Sequence, residues 1–200
     1  TVPIPEDHPL VAQSTYAATK VAADQMALSF WRSFETPVTI LRPFNTFGPR
    51  QSTRAVIPTI ITQIAKGKTT ISLGNTSPTR DFTYVTDTAQ AFIAAAKSDK
   101  ALGETINGGT GYEISIGDLV NTIASLQGAS ITVESEAERL RPDTSEVDRL
   151  CADNTLAREL LQWSPEKSGP EGLKAGLQET IDWFVQPENL RHYVANNYAV

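Results

Sequence analysis

Along this chain, short apolar runs alternate with stretches of helical periodicity, the pattern of a sheet covered by helices. Helix-favouring residues extend from Ser14 to Phe34, making this the longest expected helix, with Ala22, Ala23, Met26, Ala27, Leu28, Phe30 and Trp31 assigned to a core or a subunit interface. Pro37 stops that helix, and Val38-Thr39-Ile40-Leu41 gives an apolar run suited to a buried parallel strand. The residues from Arg42 to Arg50 then read as a loop at the carboxyl end of that strand, where open α/β sheets bind ligands. Arg54 to Lys66 places Ile57, Ile60, Ile61 and Ile64 on one helical face, and Thr70 to Leu73 reads as a strand. Further on come an Ala-rich helix from Thr86 to Ser98 capped by Thr86, a strand from Glu104 to Asn107 and an amphipathic helix from Ser115 to Gln127. A strand from Ile131 to Val133 and a last helix from Pro170 to Phe184, with proline in its first turn, complete an α/β reading.

Two residues in the first helix carry candidate chemistry. Tyr16 and Lys20 are four apart, so a helix stacks a phenol and an ammonium on one face. An ordinary phenol titrates near ~10 and holds its proton at neutral pH; a cation within a few ångström favours the phenolate and can make it a base. The plain alternative is a surface lysine beside a packed tyrosine. Arginines gather in three loop-like places: Arg50 and Arg54, Arg80, and Arg139 with Arg141. A guanidinium fork matches phosphate oxygens, although each could equally be an ion-paired surface group, Arg80 having Asp81 beside it. Gly108-Gly109-Thr110-Gly111 reads as a turn leading into a Ser-capped helix rather than as a phosphate cradle. His8 and His192 are isolated, and no cluster has zinc spacing.

The sequence resembles the extended short-chain dehydrogenase/reductases acting on nucleotide sugars, the NAD-dependent epimerases and dehydratases. The resemblance lies in Tyr16 and Lys20, Leu41-Arg42-Pro43-Phe44-Asn45 with Gly48-Pro49-Arg50, Ile57-Pro58, Thr79 to Asp87, Arg141-Pro142 and Leu160-Leu161-Gln162-Trp163, in the family's order. The stretches Gly48 to Pro58 and Arg141 to Val147 look most like the N-acetylglucosamine 4,6-dehydratases of legionaminic-acid-type pathways. The resemblance implies the C-terminal part of a Rossmann-like doubly wound sheet plus a small α/β substrate-binding subdomain. Residues 1–50 would be the remainder of the NAD-binding domain, 51–185 mainly the nucleotide-sugar subdomain with returning sheet elements, and 186–200 a tail. It implies Tyr16 and Lys20 as catalytic and NAD-binding residues and Phe44 against the nicotinamide. Asn45, Ala55, Val56, Arg80, Arg141 and Glu146 would bind the nucleotide-diphosphate sugar. It also implies a homodimer pairing the Tyr16 helix and the Arg54 to Lys66 helix across a two-fold axis.

Such enzymes open with a Gly-rich cofactor turn that this sequence does not contain, so the chain is expected to be the C-terminal portion of a longer enzyme. The net charge of −6 opposes general nucleic-acid binding. One cysteine, no membrane-length apolar stretch and no leader pattern fit a reducing cytoplasm. The leading expectation is a 4,6-dehydratase. A UDP-sugar 4-epimerase or a non-catalytic nucleotide-sugar-binding fragment are the alternatives, and the acid pair that decides between the reactions in such enzymes has no counterpart here.

Overall fold

A computed structural model of the chain describes residues 1–135 and 147–193. Helix α1, Thr15–Phe34, starts where the Ser14 hydroxyl accepts from the Ala17 amide at 3.1 Å. It stops at Glu35, whose left-handed φ of 54° turns the chain out of the helix before Pro37. Strand β1, Ile40–Pro43, lies parallel to β5, Thr105–Gly108, from Ile40↔Thr105 to Pro43↔Gly108. Pro43 sits at the strand's end, where its missing N–H costs no ladder bond.

One residue later the same chain enters a second sheet. Strand β2, Asn45–Phe47, pairs in parallel with β4, Thr79–Tyr84, while Phe44 N still donates to Gly108 O at 3.0 Å. The stretch expected as a loop from Arg42 to Arg50 is therefore mostly strand, because β5 and then β4 offer it successive edges. On its other side β4 pairs antiparallel with β6, Glu113–Ser115, and in parallel with the short β8, Arg149–Leu150. Arg80, expected in a loop, is thus in the middle of a sheet. A third pair joins β3, Thr70–Leu73, to β7, Thr132–Ser135, one residue beyond the expected start of that strand.

Among the described residues two hydrophobic cores result. The larger packs α2, Val56–Ala65, with α4, Ile116–Leu126, and α6, Gly169–Phe184, around Phe47, Phe82 and Tyr84 of the second sheet. The smaller joins α3, Val85–Lys97, and α5, Thr155–Leu161, to Ile106 of β5. In α2 the eight residues from Ile57 to Ile64 are all buried within this chain. The capping expectations divide. Ser115 caps α4 through the Asp118 amide at 3.0 Å, but α3 starts from Tyr84 with no side-chain cap and Thr86 falls inside its first turn. Strand β4 runs straight into α3, and Tyr84, at the join, is occupied in the core. Helix α6 is followed by a short α7, Pro187–Leu190, so it is not the last.

Candidate active site

A cavity of about 640 Å³ opens where β2, β4, α2 and the amino end of α1 converge. Tyr16 stands at its rim with 69% of its surface exposed, and the Lys20 ammonium lies 5.4 Å from the centre of the Tyr16 ring. Asn45, Thr46 and Gln51 form one wall, while Arg54, Ala55 and Val56 form the edge where α2 begins. Arg80 and Phe82 come from β4, and Val147 and Leu150 close the side next to β8. The two-residue period of a strand explains why Arg80 and Phe82 face the cavity while Asp81 and Thr83 turn the other way.

The Arg80 guanidinium is oriented from behind. Its Nη1 donates to Thr79 O at 2.8 Å and to Val147 O at 2.7 Å. The Asn45 amide donates to Asp81 O at 3.2 Å. Gln51 donates to Thr46 O at 2.8 Å, and its buried Oε1 has no hydrogen-bond partner among the described residues, which places an acceptor in the wall.

Asp81 is fully buried, and its carboxylate gathers four donors: Thr110 N at 3.0 Å, Thr110 Oγ1 at 2.6 Å, Gly111 N at 2.9 Å and Ala152 N at 3.1 Å. The glycine cluster is therefore a turn wrapped around a carboxylate, with the amides of Thr110 and Gly111 already engaged. Gly109 has to be glycine here, because a Cβ would lie 2.4 Å from Ala152 Cβ, 2.9 Å from Asp81 Oδ2 and 3.2 Å from Phe44 Cγ. The missing side chain at Gly109 leaves room for the Phe44 ring, which is not in the cavity lining.

A second polar tie supports α1. Arg42 Nε donates to Asp24 Oδ2 at 2.7 Å, and Arg42 Nη1 donates to Glu6 O at 3.1 Å. Glu6 Oε1 in turn accepts from Asn107 N at 2.9 Å. Beyond the cavity, Arg149 and the Thr79 hydroxyl both hydrogen-bond Glu113, and the bond from Arg149 is the main cause holding that carboxyl below its ordinary range. Burial, helped by the charges of Asp81 and Glu113, pushes the Cys151 thiol up to about 11. Burial and a hydrogen bond to Glu179 push the Tyr84 phenol up to about 12.

Of the residues singled out in the sequence, the structure brings Tyr16, Asn45, Arg54, Ala55, Val56 and Arg80 to one cavity and sets Lys20 beside Tyr16. Arg50 is exposed outside the lining, in a left-handed conformation with φ 68°. Arg139, Arg141 and Glu146 lie outside the described residues. Gln51 and Asp81 escaped sequence reasoning, although the alternation of a strand through Arg80 would have put Asp81 on the opposite face. Among the described residues no cluster of three or more His, Cys, Asp or Glu could hold a metal, and no helix is long and apolar enough to cross a membrane.

Residues 1–175 match the family profile described as GDP-mannose 4,6 dehydratase. The chain is 32% identical over 185 residues to a UDP-glucose 4-epimerase of Mycolicibacterium smegmatis, covering 91% of this chain and 56% of that protein. It is 31% identical to a human dTDP-D-glucose 4,6-dehydratase, covering 90% and 50%. The chain thus spans about half the length of these curated relatives. Its structure superposes on a Bacillus cereus UDP-glucuronic acid 4-epimerase, solved with UDP-glucuronic acid and NAD, with a TM-score of 0.82 at 31% identity, covering 92% of this chain and 56% of the other.

Proposed function

Because this chain belongs to the GDP-mannose 4,6 dehydratase family, the nucleotide-sugar dehydratases and epimerases of the extended short-chain dehydrogenase/reductase class, we propose that it carries the C4-oxidising site of a nucleotide-sugar 4,6-dehydratase. The observation that carries this reading is one cavity with Tyr16 at its rim and Arg80, Asn45, Ala55 and Val56 in its walls. One cavity thus offers both a phenol and a guanidinium, as a sugar joined to a diphosphate requires.

Arg80 offers a fork to the diphosphate, and Asn45 fixes the adjoining sugar end. The sugar C4 hydroxyl then reaches Tyr16, whose oxygen takes its proton while the Lys20 ammonium steadies the anion. The chain's own residues suit NAD: the exposed Tyr16 hydroxyl and Lys20 ammonium are donors for ribose hydroxyls, and the Phe44 ring, for which Gly109 leaves room, offers a flat apolar surface next to Asn45. NAD, when bound, supplies the hydride acceptor for C4 oxidation and the donor that completes the turnover. The 4-keto group acidifies C5, and water leaves across C5 and C6. The second reading, a 4-epimerase, uses the same first step and returns the sugar with C4 inverted; the likeness to the M. smegmatis UDP-glucose 4-epimerase favours it.

The full-length protein should be assayed by mass spectrometry and NMR with NAD and, in turn, GDP-mannose, dTDP-glucose, UDP-glucose and UDP-N-acetylglucosamine. Loss of one water from the sugar supports the dehydratase, an isomer of unchanged mass supports the epimerase, and no turnover of any of them rejects both. Tyr16→Phe should lower turnover by roughly 10²–10⁴-fold while leaving nucleotide-sugar affinity nearly unchanged. Parental turnover in that variant would end the reading of Tyr16 as the base.

A further inference from the structure

The less exposed residues of α1 are Ala17, Val21, Asp24, Ala27, Leu28 and Trp31. They form the stripe that faces β1, and Asp24 is its one charged member. Its carboxylate and the Arg42 guanidinium are 20% and 24% exposed. An ion pair that is partly desolvated adds little to stability over an apolar contact of the same size, so its use lies in registry. Here it links α1 to β1 and, through Glu6 and Asn107, to β5.

Three anchors hold α1. At its carboxyl end Trp31 lies over Gly103, whose φ of 80° and missing side chain make room, since a Cβ there would come within 2.2 Å of Trp31 Nε1. Leu28 is buried in the middle. Toward the amino end, Asp24 makes the last side-chain hydrogen bond from α1 to another element among the described residues. Lys20 and Tyr16 come one and two turns earlier, each step of four residues winding about 40° around the axis. At the other end of the pair, Arg42 is two residues before Phe44 and three before Asn45.

Resting on the catalytic reading of Tyr16, we propose that Asp24 is a positioning residue of the reaction, setting through Arg42 the distance between the Tyr16–Lys20 face and the strand end that presents Phe44 and Asn45. It touches neither sugar nor diphosphate. Its loss therefore displaces the base without weakening substrate binding, and small displacements of a reacting group cost up to about 10²-fold in rate.

The test uses the full-length enzyme with whichever nucleotide sugar it turns over. Asp24→Asn should lower kcat by about 10–100-fold with KM within about twofold and the melting temperature nearly unchanged. Asp24→Glu, which keeps the carboxylate, should recover most of the loss. Arg42→Gln should reproduce it, and the double variant should be no worse than either single one. Parental kcat in Asp24→Asn, or losses that multiply in the double variant, would overturn the proposal while the Tyr16 reading stands. Full activity in Tyr16→Phe overturns the catalytic reading and this proposal with it. If Asp24→Asn fails to fold, Asp24→Glu and Arg42→Lys decide, since parental kcat with KM raised more than about tenfold in both would contradict positioning.

Discussion

Helices α1 and α2 both border the cavity, yet they are built in opposite ways. Helix α2 has ten residues and buries eight, whereas α1 has twenty and buries only Leu28. The cavity edge at Ala55 and Val56 is therefore set into a core that this chain closes for itself. The phenol–ammonium pair rides on a helix held by one leucine, one tryptophan over a glycine and one ion pair. Packing density fixes the first region and a few directed contacts fix the second. Substitutions in the two should accordingly fail in different ways: by unfolding near α2, and by lost rate with the fold kept near α1.

The sharpest way to break that contrast is at Asp81. Asp81→Ala strands four donors, each costing about 1–3 kcal/mol when buried without a partner, so a loss on the order of 5 kcal/mol is expected by chemical denaturation. A loss below about 1 kcal/mol would show that this turn is not held by its carboxylate. Next in size, Ile60→Ala in α2, at a fully buried site, should cost about 3 kcal/mol. Met26→Ala in α1, where the side chain is 64% exposed, should stay within about 0.5 kcal/mol. Equal losses for the two would erase the distinction between the helices.

The smallest effect is on the alkaline side. Tyr84 and Cys151, pushed from 10.0 to about 12 and from 9.0 to about 11, hold their protons more tightly folded than unfolded. Their contribution is complete below the ordinary values and is lost as pH rises through the raised ones. The melting temperature should fall by roughly 5 °C between pH 9 and pH 11, and less steeply in Tyr84→Phe. A flat profile over that range would contradict the burial of both groups. Glu113, held low, acts in the opposite direction, and its contribution fades as pH drops below its ordinary value of 4.5.

What could be read in the sequence follows the same physics. Helix α1 and strand β3 were legible because local propensity and burial agree there. Strand β4 was not, since Thr79, Arg80, Asp81 and Thr83 look like loop residues when the cavity on one face and the glycine turn on the other are unknown. Helical spacing put Tyr16 and Lys20 together, as the structure does, while the role proposed for them came from the resemblance. Asp81 was noted only as the neighbour of Arg80, and its own role escaped because neighbours in a strand point to opposite faces. The partner of Asp24 was not legible, because periodicity places that residue among apolar ones and says nothing of Arg42 across the gap.

The chain passes from the first sheet into the second at Phe44 and again at Gly109, and it leaves the second sheet at Ala152; Gly109 and Ala152 both lie against Asp81. Inheritance of this protein by parts is constrained accordingly. A gene segment that exchanged the sheet around β4 for that of a relative would need several crossovers rather than one, two of them landing beside the same carboxylate. Recombination that honours Phe44 but not Ala152 would bring together surfaces that never evolved in contact. Under the proposed function, new sugar specificities should therefore arise by substitutions in the cavity wall, at positions such as Gln51 and Ala55, and not by trading blocks of sequence.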